Sequence, residues 1–388
     1  MVSVHQFGRL TRRLVLVAFA VAAIAILAPL ALLTLIAETR PGRLSGMLAL
    51  VTLGGVAWGL GMARSQARPV GWGLGMAILA STAIGLVVAL RMQPPTVRAG
   101  GPIGLHSYFV ADPSRRDVGA GWLPEIDRIK LGASILTRLV PGMDRSRARR
   151  IRAVTMGLAR EIESDPVARG LAPVTHLAAA EVLGLDFDAG HSYAYVPPHE
   201  PGERLGAVVF LHGNAGNFQV MPWAWKPFAD RHRFAIIAPT FGFGFWGPGG
   251  VAAVERARVD ALARLPIDAG RVYLAGLSDG GKGVTRTAAA HPDHYRGLIY
   301  LSPTLLLAEL GAPAFTAAWR GRPIAVFQGG RDWNVRQATV DPAVALLRAG
   351  GAEVTYVVYP EEDHFLFFAR RDDVFRRLEG WMDPGPRP

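Results

Sequence analysis

The sequence VYLAGLSDGG occupies residues 272–281 and decides the fold of the C-terminal half of the chain. Its first part, Val272–Ala275, is a short apolar run typical of a buried strand, and a helical pattern over Lys282–Ala290 follows it. Ser278 is therefore expected on a sharp turn between a strand and a helix, where small flanking residues let the turn close. Backbone N–H groups at the start of such a helix can stabilise an oxyanion. Because the chain has 45 glycines, the G-x-S-x-G pattern needs support from the elements around it.

Short apolar runs alternate with helical stretches on both sides of this turn. The alternation predicts an α/β domain with a doubly wound, mainly parallel sheet over residues 184–383. About two hundred residues with six or seven strands can bury a substantial core. The predicted strands are Ser192–Val196, Ala207–Leu211, Phe234–Ala238, Val272–Ala275, Leu298–Leu301, Ile324–Phe327 and Val354–Val358, and the predicted helices are Val251–Leu265, Lys282–Ala290, Pro342–Ala349 and Val374–Met382.

Two side chains that could activate a serine follow later strands. Asp332 comes after the strand Ile324–Phe327, and His364 comes after the strand Val354–Val358. A serine hydroxyl needs a base, and the base needs an acid that orients it. Because open α/β sheets place their sites at the carboxyl ends of the strands, we expect Ser278, Asp332 and His364 to meet at one edge of the sheet.

Other acidic residues also lie near this edge of the predicted sheet. Asp341 is the alternative acid. Asp363 and Glu362 are too close in sequence to His364 for the usual geometry, so neither is predicted to orient it.

Three other histidines have sequence contexts that favour structural roles. His212 is expected to brace its loop. His291 and His294 have the spacing of a possible ligand pair, but Pro292 and the helix end favour a surface turn, and no carboxylate cluster supports a metal. No metal and no cofactor are predicted. The chain has no cysteine, which excludes disulfides, thiolate metal sites and a cysteine nucleophile.

Four motifs together resemble those of the α/β-hydrolase superfamily, over roughly residues 190–383. The resemblance implies Ser278 as nucleophile, His364 as base and Asp332 as acid. It also implies the backbone N–H groups of Asn214 and Asp279 as oxyanion donors. The short construction and the first motif look like the esterase and serine-peptidase branches. The motifs are HGNAGN at 212–217, GLSDGG at 276–281, GGRDWNV at 329–335 and EEDHF at 361–365.

The loop FGFGFWGP at residues 241–248 carries four aromatic side chains. On the site face they would form an apolar wall for a substrate, and the alternative is a hydrophobic plug packed on the core. Only about twenty residues separate Ser302 from the next strand, so no large cap is expected and the site should be open. The predicted substrate-binding residues are Phe241, Phe243, Phe245 and Trp246, with Trp223, Trp225 and Trp333 as further candidates.

These features favour hydrolysis of a carboxylic ester through an acyl-enzyme, with a small-molecule or lipid ester as substrate. Peptide hydrolysis and acyl transfer by the same three residues are the alternatives within enzymes. A non-catalytic membrane scaffold is the alternative of another class. Nucleic-acid binding is not expected, because the arginine cluster lacks interleaved aromatic residues.

The first ninety residues hold most of the excess apolar character, and residues 1–92 are predicted to be a transmembrane region with membrane lipids as partners. Leu14–Ile36, Leu44–Met62 and Val70–Leu90 are uncharged or apolar runs about as long as a membrane-spanning helix. A cleaved signal peptide is the alternative for the first run. Arginine placement leans toward an inside N-terminus, which would put the catalytic domain on the extracytoplasmic side.

Residues 93–183 are predicted to be a linker followed by a helical segment, and residues 384–388 a tail. Five arginines crowd residues 145–152 in a chain of formal charge +11. This stretch is interpreted either as a basic amphipathic helix on anionic lipid or as the solvated face of an ordinary helix.

Overall fold

The computed structural model describes residues 27–62, 103–109, 124–166, 191–214, 219–241 and 244–382, together with Ala18, Val21, Ile24, Ala25 and Ala83. The chain divides into two compact units. The first comprises Met1–Gln93 and Val118–Leu139, and the second comprises Pro94–Asp117 and Val140–Pro388.

The first unit is held together by a buried aspartate. Asp127 accepts hydrogen bonds from the backbone N–H of Glu38 at 2.7 Å and from the hydroxyl of Thr39 at 2.5 Å. Lys130 adds an ion pair with Glu38 at 2.8 Å. These partners offset the burial of a charged carboxylate and tie the helices of this unit together. The helices are α1 (Leu33–Ile36), α2 (Arg40–Met62) and α3 (Glu125–Leu139).

Within the described residues, no helix combines the length and the apolar character that crossing a membrane requires. The second predicted span, Leu44–Met62, lies inside α2. Nine of the 23 residues of the first predicted span, and every residue of the third except Ala83, fall outside the described residues.

The second unit is built on one eight-stranded sheet with the strand order β1-β2-β4-β3-β5-β6-β7-β8. The pairs β1–β2 and β2–β4 are antiparallel, and the other pairs are parallel. The strands are β1 (Gly104–Phe109), β2 (His191–Val196), β3 (Leu205–Leu211), β4 (Phe234–Pro239), β5 (Ile267–Leu277), β6 (Gly297–Leu301), β7 (Pro323–Gly329) and β8 (Glu353–Tyr359).

Helices connect these strands and follow the last of them. From β3 the strand order proceeds outward in both directions, so right-handed crossovers place helices on opposite faces of the sheet. The helices are α4 (Arg145–Ser164), α5 (Val220–Ala224), α6 (Lys226–His232), α7 (Gly249–Arg264), α8 (Gly280–Ala290), α9 (Leu307–Leu310), α10 (Pro313–Trp319), α11 (Gln337–Ala349) and α12 (Leu366–Met382), with a 3-10 turn at Pro292–His294.

Three inner strands are apolar along their whole length because both faces of the sheet are covered. Every residue of β3, β4 and β6 is buried. The seven strands predicted from the sequence are all present, each extended at one or both ends, and the doubly wound, mainly parallel sheet is confirmed.

The strand β1 lies inside the segment 93–183, for which the sequence predicts a linker and helices. It adds an antiparallel edge to the sheet by pairing with β2, from Gly104 opposite Val196 to Phe109 opposite His191. Its sequence, GLHSYF, is short and mixes polar with apolar residues, so its periodicity gives little signal.

The arginine-rich stretch forms α4, which begins where the Asp144 carboxylate accepts the backbone N–H of Arg147 at 2.8 Å. The apolar face of α4 packs within the second unit against α5 and α12. A helix lying on lipid would need that face to be free, so of the two interpretations the packing favours an ordinary helix of the folded unit. The buried residues of the face are Ala148, Ile151, Thr155, Met156, Leu158, Ala159 and Ile162.

Candidate active site

Ser278 stands on the turn between β5 and α8 with φ at +55°, in the left-handed region that non-glycine residues avoid. Three backbone hydrogen bonds hold it there. Its N–H donates to Leu301 O at 3.0 Å, and its carbonyl accepts from Gly281 N and Thr304 N, each at 2.9 Å. A strain of about 1–3 kcal/mol persists only where the surroundings fix the backbone in this way.

The two glycines of the G-x-S-x-G pattern are required by close backbone approach. A Cβ on Gly280 would lie 2.2 Å from Leu211 O, and a Cβ on Gly276 would lie 2.6 Å from the carbonyl carbon of Gly280. No side chain fits at either position without moving the turn. The strand order and this strand–turn–helix elbow are the arrangement of the α/β-hydrolase fold.

The structure brings together the three residues that the sequence predicts as catalytic. The Oγ of Ser278 lies 3.0 Å from Nε2 of His364, and Nδ1 of His364 lies 2.8 Å from Oδ2 of Asp332. The Asp332 side chain is fully buried and that of His364 is 15% exposed. A carboxylate oxygen accepts from Nδ1, so Nδ1 carries the proton and the lone pair of Nε2 faces the Ser278 hydroxyl.

Asp332 is fixed through its second oxygen. Oδ1 accepts the backbone N–H of Asn334 at 2.9 Å and of Val335 at 2.8 Å. With Oδ2 facing His364, both oxygens have partners, as burial of a charge requires. The alternative acid, Asp341, instead accepts the Tyr356 hydroxyl at 2.6 Å.

Sequence reasoning missed Asn334, whose Nδ2 lies 3.1 Å from Nε2 of His364. A second donor therefore stands beside the nitrogen that faces Ser278. Its position two residues after Asp332, in the motif GGRDWNV, is the signal that could have pointed to it.

The predicted oxyanion donors, Asn214 and Asp279, flank Ser278. Asp279 follows it in the chain, immediately before α8. Asn214 follows Gly213, where a Cβ would lie 3.1 Å from the Cβ of Ser278. The role of their N–H groups stays a prediction.

His212 braces the loops beside the site, as the sequence predicts. It is 3% exposed, its Nδ1 lies 2.8 Å from Gly213 O, and its Nε2 accepts the backbone N–H of Phe241 at 3.2 Å. One tautomer, with the proton on Nδ1, satisfies both contacts. The indole N–H of Trp246 donates to the His212 carbonyl at 2.8 Å.

The structure places the four aromatic residues of the predicted wall differently, and the prediction is corrected at Trp246. Trp246 is fully buried, and the ring of Phe241 stacks on it at a centroid distance of 5.4 Å. Both rings thus form a plug on the hydrophobic core. Phe245 is 43% exposed, which leaves it as a wall candidate, and Phe243 lies outside the described residues.

The other candidate tryptophans also differ in burial. Trp223 and Trp225 are buried in the core, where Trp225 packs against Phe210 and Phe375. Trp333, next to Asp332, is 40% exposed. Among the described candidates for substrate contact, Phe245 and Trp333 are therefore the exposed aromatic residues.

The fold brings a carboxylate to the histidine pair that the sequence interprets as a surface turn. Glu255, His291 and His294 present donor atoms within 4.8 Å of one another. However, the guanidinium of Arg258 lies 2.9 Å from the Glu255 carboxylate and 3.0 Å from Nδ1 of His294. The Tyr295 hydroxyl donates to the other Glu255 oxygen at 2.6 Å. A protein cation already neutralises this carboxylate, so the cluster is a structural ion-pair network.

The ionised Glu255 carboxylate is expected to stabilise the folded protein through this network. Burial works to raise the pKa of Glu255, but hydrogen bonds from Arg258, Tyr295 and His294 outweigh it and hold that pKa below its ordinary value. A depressed folded-state pKa gives stability that is present above the ordinary glutamate range and lost as the pH falls through the folded-state value. Glu255→Gln should therefore lower the free energy of unfolding at pH 7 by about 1–3 kcal/mol.

Urea unfolding of the wild type and of Glu255→Gln at pH 7 and at about pH 3 measures this effect, since glutamates titrate near pH 4. The difference between the two proteins should shrink at the lower pH. An equal difference at both pH values would contradict the ionic interpretation of the network.

The chain is similar to solved structures but not to family models or curated proteins. No family model matches the chain. No curated protein matches it. Similar solved structures include a thermostable esterase, with 19% identity, a TM-score of 0.42, and coverage of 50% of this chain and 58% of that one. Est1E from Butyrivibrio proteoclasticus has 16% identity, a TM-score of 0.41, and coverage of 52% and 98%. Staphylococcus aureus fluorophosphonate-binding serine hydrolase F has 14% identity, a TM-score of 0.43, and coverage of 50% and 92%.

Proposed function

We propose that the second unit is a serine hydrolase that cleaves a carboxylic ester through an acyl-enzyme. The observation that carries the proposal is the continuous hydrogen-bonded chain from Ser278 through His364 to Asp332, with steps of 3.0 and 2.8 Å. A nucleophile, a base and an orienting acid within hydrogen-bond reach are what acyl transfer requires.

In the acylation step, Oγ of Ser278 attacks the ester carbonyl carbon. As the O–C bond forms, the hydroxyl proton passes to Nε2 of His364, and the carbonyl π electrons move onto the oxygen. Asp332 stabilises the resulting imidazolium through Nδ1–H. We assign the N–H groups of Asn214 and Asp279 to the oxyanion. When the intermediate collapses, the C–O bond to the leaving group breaks and that oxygen takes the proton from Nε2.

In the deacylation step, water takes the place of the departed alcohol. His364 accepts a proton from the water as its oxygen attacks the acyl carbon. Nε2 then returns a proton to Oγ of Ser278 as the acyl–enzyme bond breaks. Ester and water are converted into acid and alcohol, and the enzyme is regenerated.

The surroundings favour an apolar acyl group. Phe245 and Trp333 expose aromatic surface on the two loops next to the triad. The loop of Phe245 touches the loop of the proposed oxyanion donor Asn214, since a Cβ on Gly244 would lie 2.5 Å from Gly213 O. Small-molecule or lipid esters are therefore the proposed substrates. Peptide hydrolysis and transfer of the acyl group to another acceptor would use the same three residues.

The direct test is labelling of the full chain with a fluorophosphonate probe, followed by mass spectrometry of the modified peptide. Phosphonylation of Ser278 is expected, because the probe reacts with an activated serine and resembles the tetrahedral intermediate. Matched ester and amide substrates, with and without an added alcohol acceptor, then separate esterase, peptidase and acyltransferase. An unlabelled protein with a folded circular dichroism spectrum would reject the hydrolase and favour a non-catalytic scaffold.

We also propose that residues 1–92 hold the chain at a membrane, with the hydrolase unit on the extracytoplasmic side. The support is the length of the apolar runs Leu14–Ile36 and Val70–Leu90 together with the arginine placement. Alkaline carbonate should leave the full chain in the membrane fraction, and external protease should cleave the hydrolase unit. Release by carbonate would reject the anchor, and protection from protease would reverse the orientation.

A further inference from the structure

Arg147 of α4 reaches the loop that carries His364, although α4 precedes the part of the chain that resembles hydrolases. Its Nη1 donates to the carbonyl of Glu361 at 2.7 Å. Its Nη2 pairs with the carboxylate of Glu362, and its Nε lies 2.9 Å from Oδ2 of Asp363. One guanidinium thus engages the three residues immediately before His364.

These contacts are buried. The side chains of Glu362, Asp363 and Arg147 are 4%, 8% and 11% exposed. Removing one partner from a buried ion pair leaves an uncompensated charge, which is strongly unfavourable. Arg370 of α12 adds a 2.7 Å pair with Glu362, but its side chain is 52% exposed. Arg147 is therefore the buried counter-charge to these two carboxylates.

The same contacts are linked to the backbone on both sides of His364. Oδ1 of Asp363 accepts the N–H of Phe365 at 2.9 Å, across His364. The Glu362 carbonyl accepts the N–H of Arg331 at 2.9 Å, which joins this loop to the loop of Asp332. These hydrogen bonds join the contacts of Arg147 to the two loops that carry His364 and Asp332.

We propose that Arg147 is a positioning residue for His364, which fixes the loop of the base and neutralises Glu362 and Asp363 beside it. The inference rests on the proposed function, because it takes His364 as the general base. Uncompensated negative charge favours the imidazolium form, and a general base must be unprotonated to act.

The charges around His364 come from several elements. Asp332 contacts the ring directly, and its electrostatic effect is the same in all the variants considered below. The other charged groups are Glu362 and Asp363 on its own loop, Arg147 from α4, Arg370 from α12, the surface pair of Arg331 with Glu361, and the pair of Lys282 with Asp279 at the elbow.

The test measures the second-order rate constant of fluorophosphonate labelling of the full chain as a function of pH. Arg147→Ala should slow labelling at pH 7 by about tenfold to a hundredfold. It should also move the acid limb of the profile to higher pH by about one unit. Arg147→Lys keeps the positive charge but lacks the forked guanidinium that contacts three residues. The acid limb should therefore stay at its wild-type pH, and the labelling rate constant should fall in part. Arg149→Ala, an exposed arginine of the same helix, should match the wild type.

A triple variant distinguishes the effect of the Arg147 charge from the effect of its packing. Adding Glu362→Gln and Asp363→Asn to Arg147→Ala removes the uncompensated charges and should return the acid limb to its wild-type position. An unchanged profile in Arg147→Ala, or an acid limb that the added substitutions leave displaced, would overturn the proposal.

If Arg147→Ala does not fold, the single variant Asp363→Asn tests the proposal instead. Its amide oxygen can still accept the Phe365 N–H, so the loop keeps this hydrogen bond. Its acid limb should move to lower pH, and an unmoved limb would reject the proposal. A wild-type protein left unlabelled at Ser278 would reject the proposed function itself. Labelling at Ser278 that is indifferent to Arg147 would reject only the positioning role.

Discussion

Ser278→Ala is expected to lower kcat for ester hydrolysis by about 10⁴- to 10⁶-fold while leaving the fold intact. The substitution removes the only atom that forms the acyl-enzyme bond. The backbone of the elbow is held by hydrogen bonds from residues 281 and 304 and to residue 301, which do not involve the side chain. Initial rates with a chromogenic short-chain ester, at saturating and at low substrate, measure the loss in kcat and in kcat/KM.

Ser302 provides a matched control for this substitution. It is also buried and also has a positive φ, of 42°, on the loop after the neighbouring strand β6. Like Ser278→Ala, Ser302→Ala removes a hydroxyl at a strained backbone position. Because Ser302 does not contact His364 in the structure, turnover of this variant should stay within about threefold of the wild type. Wild-type turnover in Ser278→Ala would place the nucleophile elsewhere.

The elements that position the site could be predicted from the sequence because they depend on local pattern. Strands β3 and β4 are buried on both faces, so their apolar runs are continuous and easy to recognise. Ser278 and Asp332 follow β5 and β7, whose last residues are buried, and His364 follows the edge strand β8. Parallel strands present their carboxyl ends at one edge, and the sheet therefore brought together residues far apart in the chain.

Features that depend on distant contacts could not be predicted in the same way. The loop containing Trp246 has the same aromatic and glycine composition whether it lines a site or fills a core. The burial of the Trp246 indole and its hydrogen bond to the His212 carbonyl distinguish the two. Arg147 is separated from Glu361 by 214 positions, and nothing in its local sequence marks it among the neighbouring arginines. The edge strand β1 has too few apolar residues for its pairing to be evident.

Asp332→Asn is expected to lower kcat by about 10⁴-fold although the side chain keeps its shape. The N–H groups of Asn334 and Val335 point at the Oδ1 position, so the carbonyl oxygen of the new amide will lie there. The NH₂ group must then face His364, where the native Oδ2 accepts from Nδ1 at 2.8 Å. Because an amide nitrogen only donates, Nδ1 has to become an acceptor, and the imidazole proton moves to Nε2. The nitrogen that should take the proton from Ser278 is then already protonated.

The alternative acid gives the control that makes this prediction specific. Asp341→Asn removes a carboxylate that contacts Tyr356 in an exposed pair, so its kcat should stay within about twofold of the wild type. Both variants should melt close to the wild type, which separates a wrong tautomer from a damaged fold. The kinetic signature should be a fall in kcat with KM little changed, because the amide alters proton transfer and leaves the substrate surface in place. Equal activity of Asp332→Asn and the wild type, or a larger loss in Asp341→Asn, would show that His364 is oriented by a different acid.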